Sequence, residues 1–171
     1  MKCGPSAILG FVALLEICAP ARAFAPPPQL PANDLSDIDV PHAPFDDTAN
    51  ADADVARAFA EARALNKRVL IDLGANWCAD CRILSGVMDV PDTHAFLAAH
   101  YAVAIVDIGR FDRNMQVPER FGIDLRATGV PSIIIAEPDG TLVNRGHTAA
   151  LVEARQMTPQ AIVDWFAEWA R

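Results

Sequence analysis

The chain has 171 residues, a formal net charge of −8 and a hydrophobic content of 52%. That length holds one domain with short additions, and the apolar share is enough for a genuine core. An acidic chain without a basic stripe is a poor partner for nucleic acid or for an anionic lipid surface, so its expected partners are other proteins.

The N-terminus reads as a secretory signal. Lys2 supplies a thin positive region, Ala7 to Leu15 an apolar core, and Ala21-Arg22-Ala23 a small-x-small cleavage site. Cleavage is expected after Ala23, because a cut after Ala25 would leave Pro26 next to the scissile bond. Glu16 breaks the apolar run, which falls short of the ~20 residues that a span requires. No stable membrane span is therefore expected after processing; the competing reading is a retained anchor. Lipid attachment at Cys18 is disfavoured by the bulk of Glu16 and Ile17. Losing residues 1–23 takes the charge to about −9 and removes Cys3 and Cys18. The expected location is periplasmic or secreted.

Residues 24–51 alternate prolines (Pro26, Pro27, Pro28, Pro31, Pro41, Pro44) with aspartates, a composition that predicts a flexible, solvated tether. A domain over 52–171 follows. Val55, Phe59, Ala62 and Leu65 recur at helical spacing and predict a helix over 52–66. Arg68 to Leu73 read as a buried strand. A helix is expected from Cys78 to about Val87, and another from Pro91 to Ala98. Tyr101 to Ile108 form a second strand. Residues 109–130 are looser, with a short helix over Val117 to Phe121. Ser132 to Ala136 predict a strand, Pro138-Asp139-Gly140 a turn, and Thr141 to Asn144 the partner strand of a hairpin. Thr158-Pro159 opens the last helix, whose Ile162, Trp165, Phe166 and Trp169 share one face and read as core. The order predicts an α/β fold with a mixed sheet covered by helices on both faces.

The chemistry centres on Trp77-Cys78-Ala79-Asp80-Cys81, directly after the apolar run Val69 to Leu73. A strand there delivers two thiols to the first turn of a helix, where backbone N–H groups and the helix dipole stabilise a thiolate. Two cysteines with two residues between them in an exported chain do not staple a scaffold; they are placed for exchange. Cys78 is the expected nucleophile and Cys81, one turn inside, the resolving thiol. Half of a zinc site is the structural alternative, but no second pair supplies the remaining ligands, and His94 and His100 do not share a helical face. No metal or other cofactor is expected beyond the Cys78–Cys81 disulfide itself.

Taken together, residues 52–171 resemble the thioredoxin superfamily, a three-layer sandwich. Trp77 to Cys81 resembles its Trp-Cys-x-x-Cys redox centre, and Asp72, six residues before Cys78, resembles its buried acid. Gly129-Val130-Pro131 before a strand resembles the cis-proline loop facing the disulfide. Gly140 matches the hairpin glycine and Gly146 the small residue beside the substrate groove. Gly74-Ala75-Asn76-Trp77 and the exported context are similar to periplasmic reductase-type domains. The resemblance implies that Asp72 takes the Cys81 proton, its carboxyl raised toward neutrality by burial. It also implies that the Val130 backbone pairs with an extended client segment beside Pro131, and that Trp77 is a contact surface.

Departures from the family pattern are informative. Ala79-Asp80 replaces Gly-Pro, Ile105 stands near the place of the lysine that usually partners the acid, and Gly109 to Val130 is longer. Asp80 puts a negative charge between the sulfurs, which is expected to disfavour the Cys78 thiolate and tilt the pair toward reduction. The expected activity is thus dithiol reduction of disulfides in client proteins, with electrons from an upstream thiol donor. The alternatives are an oxidase or isomerase of the same fold, or a module carrying Cu(I) on the two thiols. His147, after Gly146, reads as a solvated or core-satisfied histidine, with an edge of the active-site groove as the alternative; Arg110, Asp112 and Arg113 read most simply as a solvated loop whose added length could shape client recognition.

Overall fold

A computed structural model describes residues 25–171; the expected signal segment 1–23 lies outside the described residues. Helix α1 (Ala51–Leu65) opens on Asn50, whose side chain accepts the Ala53 N–H, and closes on Asn66 in the left-handed region. Strand β1 (Arg68–Gly74) is buried along its whole length, as the middle strand of a covered sheet must be. Helices α2 (Ala79–Asp89) and α3 (Pro91–His100) follow, the second opened by Pro91 in its first turn. Strand β2 (Tyr101–Asp107) returns parallel to β1 with Asp72 opposite Ile105. Two one-turn helices, α4 (Gln116–Glu119) and α5 (Leu125–Thr128), occupy the stretch in which one short helix was expected. Strand β3 (Ser132–Ala136) runs antiparallel to β1, and α6 (Pro159–Glu168) starts on the Thr158 cap.

The sheet order is β2-β1-β3. Val69, Ile71 and Leu73 face α1 through Val55, Ala58 and Ala62. Leu70, Ile133 and Ile135 face α2 and α6 through Leu84, Ile162 and Phe166. This is the expected mixed sheet between two helical layers. Among the described residues, no helix is long and apolar enough to cross a membrane.

The hairpin strand expected over Thr141 to Asn144 is not formed; a single bridge joins Ala136 to Leu142. One side chain accounts for the difference. Buried Asn144 donates from Nδ2 to the Ile133 carbonyl (2.8 Å) and accepts the Ile135 N–H on Oδ1 (2.9 Å), so an amide group stands in for strand backbone. Thr148 and Val143 complete the edge through the Ile133 N–H and the Ile135 carbonyl. Asn144→Ala would strand two buried backbone groups, a loss of about 2–4 kcal/mol. The urea midpoint should fall accordingly, and an unchanged midpoint contradicts this role.

The segment before α1 also differs from the expected solvated tether. It lies against the domain, with Ala25, Ile38 and Phe45 buried. Gln160 accepts the Leu30 N–H and donates to the Pro28 carbonyl, tying the segment to α6. Prolines that discourage helix and sheet also lower the entropy cost of laying an extended chain along a surface. A few apolar anchors then hold it.

Candidate redox centre

Strand β1 ends at Gly74, and the chain turns through Ala75-Asn76-Trp77 so that Cys78 becomes the N-cap of α2. Cys78 and Cys81 are joined as a disulfide with Cα atoms 5.3 Å apart. The Cys78 Sγ accepts the Cys81 N–H at 3.1 Å. One first-turn N–H of α2, which has no helical partner, is thus directed at that sulfur and, with the helix dipole, favours its thiolate when the bond is reduced. Cys81 is fully buried, whereas Cys78 keeps 6% of its surface exposed. Of the pair, Cys78 is the one with any exposure.

The Val130–Pro131 peptide bond is cis, and the Val130 carbonyl oxygen lies 3.7 Å from the Cys78 Sγ. Helix α5, capped by Asp124, ends on Gly129 and delivers this turn to the sulfur. On the other flank Trp77 is 46% exposed, and its Nε1–H donates to the Gly109 carbonyl at 2.6 Å. The Phe111 ring lies 6.0 Å from Trp77, and the Arg110 guanidinium sits 5.7 Å above the indole. Phe111 has a φ of 62°, a strained value for an aromatic residue. The Arg126 guanidinium holds the Phe111 carbonyl. The loop, most simply read as solvated, therefore packs against Trp77 beside the redox pair.

Asp72 lies on the α2 face of β1, two residues below Gly74 and within the sheet. It is fully buried, and neither carboxylate oxygen has a hydrogen-bond partner. Burial alone pushes its pKa up to about 7. Ile105 is its β2 neighbour, in keeping with the absence of a lysine partner on that strand.

Asp80 corrects part of the sequence reading. It is buried, but its Oδ1 accepts the Arg155 N–H at 2.9 Å and its Oδ2 pairs with Arg155 Nη2 at 3.2 Å. A carboxylate taken out of water needs such partners, so its negative charge reaches Cys78 partly offset. Arg155→Ala keeps the backbone N–H but removes the guanidinium's share of that offset, and should raise the Cys78 thiol. The potential would become more negative by on the order of 30 mV, tenfold in the exchange constant. Equilibration with a dithiothreitol series reads this, and a shift in the opposite direction refutes it. Ala79 is the exposed first residue of α2 and adds no contact to the sulfurs. Gly146 lies in an exposed turn on the outer side of β3, with no hydrogen bond to the Cys78 region.

Two residues at the centre have no counterpart among the site residues read from the sequence. The Asn76 side chain accepts the Phe45 N–H (2.9 Å) and donates to the Phe45 carbonyl (2.8 Å), and the Phe45 ring lies over Gly74. Phe45 is the one aromatic residue between Ala25 and Asn50, a signal that the Pro-Asp composition hides.

The strand–turn–helix delivery of a dithiol, a buried acid beneath it and a cis-proline opposite define a disulfide oxidoreductase. A family model described as Thioredoxin-like matches residues 49–138. The crystal structure of a disulphide isomerase from Xylella fastidiosa Temecula1 is similar, with 34% identity over 73% of this chain and 95% of that one and a TM-score of 0.69. The oxidised C-terminal domain of DsbD from Neisseria meningitidis shares 19% identity over 56% of this chain and 80% of that one, at a TM-score of 0.44. No curated protein sequence gives a significant match. The chain belongs to the thioredoxin-like family and is a thiol–disulfide oxidoreductase.

Proposed function

We propose that the protein is an exported reductase of disulfides in client proteins. The reading is carried by one observation: the helix-capping Cys78, its sulfur beside the Val130 carbonyl, is the one of the two cysteines with any solvent exposure, while Cys81 has none and the nearby strand carries a buried, unpartnered acid. The Cys78 thiolate attacks a client disulfide, forming a mixed disulfide and releasing one client thiolate. Cys81 gives its proton to the Asp72 carboxylate and attacks the Cys78 sulfur. The second client thiolate leaves, the client gains two electrons, and Cys78–Cys81 is oxidised. An upstream dithiol donor restores it.

The Val130 backbone beside Pro131 offers an edge for an extended client segment, flanked by Trp77. Export rests on the signal-like segment 1–23, and the secreted chain should begin at Phe24; N-terminal sequencing of the exported product tests this. The direction rests on Asp80, an acidic side chain between the two cysteines that is paired with Arg155. Insulin should be reduced when dithiothreitol is supplied, and an inert protein would overturn the proposal. The disulphide isomerase activity named for the Xylella relative favours a second reading, net isomerisation. Recovery of activity from scrambled ribonuclease without external reductant would select it.

A further inference from the structure

The geometry points to the segment before α1 as a working part of the redox centre: Phe45, clasped by Asn76, seals the resolving sulfur from water. The inference rests on the exchange reading above. The Phe45 ring occupies the space on β1 that a side chain at Gly74 would take; a Cβ there would collide with the ring and lie 3.1 Å from the Cys81 Cβ. Gly74 and Asp72 share one face of the strand. The ring therefore covers that face at its active-site end, beside Cys81 and above the acid. Phe45 itself is only 2% exposed, and Cys81 is fully buried.

Asn76 fixes the ring by engaging both backbone groups of Phe45, in the turn that leads directly to Cys78. A seal of this kind has a chemical use. The Cys81 thiol must stay unreactive toward solvent oxidants and stray disulfides until a mixed disulfide forms on Cys78. Phe45 and Asn76 are positioning residues, acting on the reaction through Cys81.

The test is alkylation of the dithiothreitol-reduced full chain by iodoacetamide, with Cys78 and Cys81 followed separately by peptide mass mapping. Cys81 of the wild type should react far more slowly than Cys78. Phe45→Ala should speed Cys81 by about tenfold or more while leaving Cys78 nearly unchanged. Phe45→Leu, which refills most of the space, should stay within about threefold of wild type. Asn76→Ala should act in the same direction as Phe45→Ala, and it decides the matter if Phe45→Ala does not fold. An unchanged Cys81 rate in the folded variants overturns the inference, as does an equal rise at both cysteines, which marks general loosening. A wild type that protects Cys81 yet fails to reduce insulin would overturn the proposed reductase and leave the seal standing.

Discussion

Asp72→Asn should slow resolution of the mixed disulfide by about 10²-fold while leaving the first attack nearly intact. The mixed disulfide accumulates, and rapid-quench electrophoresis under non-reducing conditions would show it. The reason lies in the site itself. Cys81 has no solvent contact through which to lose a proton, and the Asp72 carboxylate on the same face of β1 has both oxygens free. With its pKa pushed up to about 7, Asp72 is ionised and able to accept a proton as the pH rises through neutrality. Wild-type resolution should climb across that range, and the variant should lose the climb. Equal resolution rates in the two proteins would remove Asp72 from the mechanism.

The same carboxyl makes stability depend on pH in a direction opposite to that of a salt-bridged acid. Its folded pKa of about 7 stands above the ordinary value of 3.8. Between those values the folded state holds a proton that the unfolded chain has released. Stability therefore falls as the pH rises from about 4 to 7, by up to roughly 4 kcal/mol for the whole shift. Asp72→Asn, neutral at every pH, should flatten that slope and raise the melting temperature of the oxidised protein at pH 8. Melts of both proteins from pH 4 to 8 check this.

The second large effect concerns the sulfurs. Cys78→Ser should abolish insulin reduction, a loss of at least about 10³-fold, because the buried Cys81 cannot meet a client. Cys81→Ser should instead arrest the reaction half-way, with Cys78 bonded to the client and nothing positioned to release it. The two variants thus fail differently, although they lie within one turn of helix. Equivalent behaviour would mean that the nucleophile and resolving roles are not divided as the burial of the two sulfurs demands.

Much of this centre is legible in the sequence, because strand-borne apolar runs and a pair of cysteines at a helix start are local signals. β1, α2 and the pairing of Cys78 with Cys81 depend on residues within a dozen positions of one another. The features that escape local reading depend on partners far along the chain. The charge of Asp80 is offset by Arg155, 75 positions away, and no spacing rule pairs them. Asn144 hides a missing strand, because its side chain imitates backbone and the residue type reads equally well as a turn. Phe45 is hidden by its neighbours: proline and aspartate dominate the average, while one ring decides where the segment lies. Arg110 reads most simply as part of a solvated loop until Trp77 is seen beneath it, and nothing local marks Phe111 as a neighbour of that indole.

Reduced Cys81→Ser protein mixed with insulin, quenched with acid and mapped by mass spectrometry, puts the division of labour to its most direct trial. A covalent insulin adduct on the residue 78 sulfur, stable until a small thiol is added, is the predicted product. A free, alkylatable thiol at that position with no adduct formed would contradict the account.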